Sequence, residues 1–110
     1  MQVQNLFSAL PDARAAEVFE RLAGEGDVEI ERIVSHGQSS PESGWYDQPR
    51  HEWVMLLQGR ACLGFDDGRE VELAPGDALD IPAHTRHRVS WTATDQTTVW
   101  LAVHYPMCDR

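Results

Sequence analysis

The sequence predicts an all-β protein, an antiparallel barrel of two facing sheets in the jelly-roll manner, with one short helix on its N-terminal side. Three observations carry this expectation. From Val28 onward the apolar runs are short and strand-like. Turn-forming groups separate them: Gln58-Gly59, Asp66-Asp67-Gly68, Ala74-Pro75-Gly76-Asp77 and Ala93-Thr94-Asp95-Gln96. Eight such runs follow one another, enough to close a barrel and hide its edges.

The elements are justified in chain order. Over residues 12–23, Ala15, Ala16, Phe19 and Leu22 fall near one helical face, with Asp12 placed to cap the start and Gly24 just past the end. A helix is expected there, covering the barrel or a subunit contact. The strands are expected at 28–35, 45–47, 52–58, 60–65, 69–73, 78–82, 87–92 and 97–104. Gly37 to Gly44 (GQSSPESG) reads as a flexible surface loop leading into the 45–47 stretch. A chain of 110 residues buries one core but not two. One domain over 1–110 is expected, a helical segment at 1–27 followed by a barrel at 28–105.

Composition narrows the partners. Apolar residues at 42% and charged residues at 25% are globular values, which argues against disorder. Eighteen Asp and Glu against nine Lys and Arg give a formal charge of −9, which repels phosphate backbones and anionic lipid. Nucleic acid and membrane are therefore not expected partners. The longest solid apolar stretch, Trp53 to Leu57, is far short of the roughly 20 residues that span a bilayer. The first residues show no secretory pattern, and a cytoplasmic protein is expected. Cys62 and Cys108 have neither metal-site spacing nor a disulfide framework and read as free thiols.

Two stretches carry chemistry. WYDQPRHEWVMLLQGR runs through Glu52 and then six residues to Gly59, and PGDALDIPAHTRH runs from Gly76 through five residues to Pro82 and on to His87. Pro75 and Gly76 suit a tight reversal. Pro82 lacks a ladder donor and suits a strand end, leaving 83–86 to deliver His87 to the barrel mouth. Alternation puts Glu52, Val54 and Leu56 on one face, and His87, Val89 and Trp91 on one face of their own strand. A carboxylate and an imidazole thus head two apolar inward rows. In order, spacing and turn chemistry the two stretches resemble the conserved motifs of the RmlC-like cupin superfamily, over about residues 37 to 105. The resemblance implies a small single-domain cupin, a double-stranded β-helix barrel with a small-molecule ligand or substrate.

The family's first motif is His-x-His, three or four residues, Glu, six residues, Gly. Its second is Gly, five residues, Pro-x-Gly, two residues, His, three residues, Asn. Here the His-x-His positions hold Trp45 and Asp47 on one spacing, or Tyr46 and Gln48 on the other. The glycine after Pro82 is His84, and the asparagine position is Trp91. The three-histidine, one-carboxylate metal site of the family is not written in this chain. A mixed site is expected instead: Glu52, His87, Asp47 and His104 as metal ligands, with Gln48 or His84 able to add a donor. Such a set suits Fe(II), Mn(II) or Zn(II). Without metal, Glu52 and His87 form a hydrogen-bonded pair in a polar pocket. Tyr46, Gln48, His84, Trp91 and Trp100 are its expected lining. His51 precedes Glu52 and points to the opposite face. His104 turns inward if Trp100, Ala102 and His104 line the cavity, and outward if Val99, Leu101 and Val103 do.

Three functions are compatible with these residues, the reaction classes being what the resemblance implies: a metal-dependent enzyme, such as an oxygenase or isomerase, acting on a small organic molecule; a non-catalytic pocket that binds a small ligand; and a metal-free acid–base enzyme of the kind found among sugar-epimerising cupins, with Tyr46 as the proton donor opposite Glu52 or His87. The resemblance implies a homodimer, as small barrels of this kind commonly pair through sheet edges and outward apolar residues, and Trp53, Met55 and Leu57 form such an apolar row opposite the Glu52 face.

Overall fold

In the computed structural model, which describes residues 1–108, eight strands run in order: β1 (Val18–Glu25), β2 (Val28–Ser35), β3 (Arg50–Gln58), β4 (Ala61–Phe65), β5 (Glu70–Leu73), β6 (Ala78–Ile81), β7 (His87–Thr92) and β8 (Thr98–Pro106). They form a five-stranded sheet, β1-β2-β8-β3-β6, and a three-stranded sheet, β5-β4-β7, with every pairing antiparallel. No helix occurs among the described residues, and so none is long and apolar enough to cross a membrane.

The expected helix at 12–23 is corrected by the structure. Its second half belongs to β1, which pairs with β2 from Val18↔Val34 to Glu25↔Val28 around Gly26-Asp27. A two-residue Gly-Asp link is a hairpin signal, and cross-strand pairing outweighs the weak helical spacing of two alanines, a Phe and a Leu. Gly24 is not a helix stop. Its φ is +149°, and a Cβ there would meet the Val28 carbonyl oxygen at 2.4 Å, so glycine lets the two strands approach. The 45–47 strand is also corrected: only Tyr46 bridges, to His87, and the segment does not continue as a ladder. The other seven expected strands are present, two of them (28–35 and 87–92) with the expected ends and the rest with ends moved by one or two residues.

The two sheets face each other over a core of Val54 and Leu56 from β3, Ala61, Leu63 and Phe65 from β4, Leu73, Ile81 and Trp100. Full burial of a residue such as Leu56 contributes about 1.5–3 kcal/mol. Gly59 joins β3 to β4 with φ +92°, and a Cβ on it would lie 2.7 Å from the Thr98 Cα. Only glycine allows this crossing. On the β4 face turned away from the core, the buried Cys62 thiol donates to Glu70 Oε2 (3.4 Å), which also accepts from Ser90 Oγ (2.8 Å). Burial, reinforced by Glu70, pushes this thiol up to about 11.

Candidate functional site

The site grows from one register row. Glu29 on β2 pairs with His104 on β8, His104 with Glu52 on β3, and Glu52 with Ile81 on β6. Strand alternation turns one row of side chains toward the facing sheet, and Glu52, His104 and Ile81 of this row line a cavity of about 160 Å³ between the sheets. Glu31, Ile33, Val54 and Trp100 form its floor from the five-stranded sheet, Leu63, Val89 and His87 close it from the other, and Tyr46, Gln48, Ser40, Glu17 and Phe19 complete the wall. Phe19, 55% exposed, marks the mouth.

Glu52 and His87 meet in this cavity, with Oε1 and Nε2 3.4 Å apart and both side chains largely buried. The His87 Nδ1–H donates to the Thr85 carbonyl (2.8 Å), which fixes the tautomer and leaves Nε2 as the working nitrogen. Gln48 Nε2–H donates to Glu52 Oε1 (2.8 Å). Burial opposes ionisation of Glu52, yet the bonds from His87 and Gln48 and the charge of His104 outweigh it, holding the carboxyl below its ordinary value. Burial pulls His87 down, but Glu52 and Thr85 win and keep it above its ordinary value. On the far side, His104 Nε2 and Glu31 Oε1 lie 2.9 Å apart. That bond is the largest influence on His104 and raises it against burial, with Glu52 adding. The buried His104 Nδ1 has no hydrogen-bond partner among the described residues. Burial raises Tyr46, so its phenol stays protonated at neutral pH.

Several expected site residues lie elsewhere. Asp47 and His84 pair with each other (2.9 Å), both about half exposed or more, and do not line the cavity. Tyr46 and Gln48, on the three-residue spacing, are the positions that do, because the Tyr46–His87 bridge sets which side chains face inward. Trp91 is 41% exposed and outside the cavity. A bulge in the β4–β7 ladder, where Cys62 faces Trp91 but Leu63 faces Val89, breaks the alternation that would have carried Trp91 inward. His51 accepts from the Ala83 N–H (2.9 Å) and packs on Tyr105 at 4.9 Å, away from the cavity. Trp100 and His104 line it.

Glu17 and Glu31 were not foreseen. Glu31 was findable, since Glu29, Glu31, Ile33 and Ser35 form a period-2 row like that headed by Glu52. Glu17 had no such signal, being fixed by tertiary contacts: Trp100 Nε1–H donates to Ser35 Oγ (3.2 Å), which donates to Glu17 Oε2 (2.8 Å).

A family model described as the cupin domain matches residues 30–104. The chain belongs to the cupin family. In fold this cupin is similar to a crystal structure from Ralstonia eutropha JMP134 of a protein provisionally named a mannose-6-phosphate isomerase, at 42% identity over 97% of this chain and 100% of that one, with a TM-score of 0.92. An RmlC-like cupin from Desulfovibrio desulfuricans (20% identity, 97% and 99% coverage, TM-score 0.76) and a cupin superfamily protein from Desulfitobacterium hafniense DCB-2 (21%, 97% and 100%, 0.70) share the fold. None of the curated proteins matches the chain in sequence.

Cupins commonly bind a divalent metal. At the positions of the family's ligands this chain carries Tyr46, Gln48, Glu52 and His87, one imidazole and one carboxylate beside a protonated phenol and an amide whose NH₂ already donates to Glu52. These residues do not make the family's centre, and Asp47 is not there to supplement them. Among the described residues, the group of three acid and imidazole donors within 4.8 Å of one another is Glu29, Glu31 and His104.

Proposed function

We propose that this cupin is a small-molecule isomerase working by proton transfer, with Glu52 and His87 as the base pair and Tyr46 as the acid. The convergence of an oriented imidazole, a carboxylate and a protonated phenol on one cavity carries this reading. His87, which burial pulls down but Glu52 and the Thr85 carbonyl hold above its ordinary value, takes the proton from the carbon beside a carbonyl through Nε2 in its neutral form. Tyr46 protonates the carbonyl oxygen. The resulting enediol collapses as the proton on His87 returns to the neighbouring carbon and Tyr46 recovers its own from the other hydroxyl. The sum is a shift of two hydrogens, with no oxidant or reductant. The chain contains no lysine, so a Schiff base with the carbonyl is unavailable to it. The isomerase name of the 42% identical relative agrees with the reading. Glu31 and His104 serve to hold substrate hydroxyls.

Deuterium uptake from D₂O into short hydroxy aldehydes and ketones tests the proposal. His87→Gln and Tyr46→Phe should each slow exchange by about 10²–10⁴-fold, while protein dialysed against chelator keeps its activity. Binding without exchange would favour a non-catalytic pocket.

A second reading, a divalent cation at Glu29, Glu31 and His104, is favoured by their grouping. Two carboxylates and an imidazole suit Mn(II), Fe(II) or Zn(II), which would supply Lewis-acid polarisation of an oxygen. Stoichiometric metal in protein purified without added metal, lost in Glu31→Gln, would replace the metal-free reading with this one. We also propose a homodimer through the outward row Trp53, Met55 and Leu57, which Leu101 and Val103 extend on β8.

A further inference from the structure

We infer that the cavity takes a short, unphosphorylated hydroxy-carbonyl compound and excludes phosphorylated sugars. The carbonyl part rests on the proton-transfer reading. The size and charge part stands on the cavity alone.

Charge sets the cavity against phosphate. Glu17, Glu31 and Glu52 all line the cavity, and among the described residues no arginine does. The nearby arginines are engaged elsewhere. Arg50 holds Glu29 Oε1 (3.4 Å) and the Asp27 carbonyl, and Arg32 holds Glu20 Oε1 (2.8 Å) and the Leu6 carbonyl. Arg88 lies over the Trp45 ring at 4.6 Å and lines a neighbouring cleft together with Glu42 and Glu70. A helix N-terminus, a common phosphate site, is also not available, since the described residues contain no helix. The two imidazoles offset part of the negative charge, but each is already paired with its own carboxylate, His87 with Glu52 and His104 with Glu31. Glu17 also lines the cavity, its carboxylate held by the buried Ser35 hydroxyl, so a phosphate lodged on that side would meet a third carboxylate. At the low effective dielectric of such a site, repulsion between like charges a few ångströms apart is strong.

Size limits the ligand as well. A cavity of about 160 Å³ matches one that holds benzene, about six non-hydrogen atoms. A triose fits within that volume and a tetrose nearly does, whereas a hexose phosphate, with well over twice as many atoms, would leave much of itself outside the open mouth. The name of the 42% identical relative therefore does not extend to this chain's substrate.

The experiment uses matched pairs: glyceraldehyde with glyceraldehyde 3-phosphate, and erythrose with erythrose 4-phosphate, alongside mannose 6-phosphate and inorganic phosphate alone. Affinity is read by ligand-observed NMR and isomerisation by deuterium uptake from D₂O. The unphosphorylated member of each pair should bind at least about tenfold tighter, and neither mannose 6-phosphate nor inorganic phosphate should bind in the cavity. Glu17→Gln keeps an oxygen acceptor for Ser35 and should narrow the ratio, with its melting temperature checked against the unaltered protein. A phosphorylated member bound as tightly as its partner overturns the inference whether or not exchange is seen, and so does failure of every unphosphorylated compound to bind. Tight binding of the unphosphorylated members with no deuterium uptake upholds size and charge selection and defeats the proton-transfer reading.

Discussion

At the scale of single residues, the Glu52–His87 pair ties stability to pH in both directions. His87 holds its proton more tightly folded than unfolded, so its contribution is complete below pH ~6.5 and is lost as pH rises through the raised folded value. Glu52 is shifted the other way. Its contribution is complete above pH ~4.3 and is lost as pH falls through the lowered value. Urea unfolding of metal-free protein should therefore show greatest stability between these limits, with a slope of at most about 1.4 kcal/mol per pH unit for each group titrating. His87→Gln should weaken the alkaline loss without removing it, because His104 is raised as well. An unchanged alkaline limb would contradict the pairing. Strand parity together with the two motif spacings made Glu52 and His87 legible in the sequence, since each heads an apolar row. Parity failed at Trp91 because a bulge inserts one residue, and bulges leave no reliable mark in a lone strand. Between Asp47 and Gln48 the sequence was silent. The Tyr46–His87 bridge that decides the matter joins residues far apart in the sequence.

At the scale of elements, the two glycines at strand crossings make separable predictions. Gly24→Ala in the β1–β2 hairpin forces a Cβ against the Val28 carbonyl in a left-handed conformation and should cost about 1–3 kcal/mol. Gly59→Ala puts a Cβ against the Thr98 backbone inside the core crossing, adding overpacking to the same strain, for about 2–5 kcal/mol. Thermal unfolding of both variants checks the order, and a Gly24 variant less stable than the Gly59 variant would contradict it. Turn chemistry made the links after Gln58, Asp66 and Ala74 legible as chain reversals, but of these only the Asp66 link joins paired strands, β4 and β5, while the other two cross from one sheet to the other. The β1–β2 hairpin was obscured because Ala15, Ala16, Phe19 and Leu22 also satisfy a helical spacing, and a strand at a sheet edge needs only one partner to prevail.

At the scale of the whole molecule, the proposed homodimer rests on the outward row of β3. Trp53, Met55 and Leu57 are half-buried and continue sideways into Leu101 and Val103 of β8, so pairing of two such faces would remove a connected apolar strip from water. Met55→Glu should give a monomeric mass in light scattering at micromolar concentration where the unaltered protein gives twice that mass. Monomeric unaltered protein would end the dimer proposal. The Glu70-capped thiol on the far side of the smaller sheet has a practical consequence for watching this protein unfold. A thiol held near 11 and shielded from solvent alkylates very slowly at neutral pH, whereas the exposed Cys108 is open to reagent. Native protein should take up one equivalent of iodoacetamide quickly, at Cys108. The second equivalent should enter only when the β5-β4-β7 sheet opens, so its rate is a clock for that opening, readable by mass without any introduced probe.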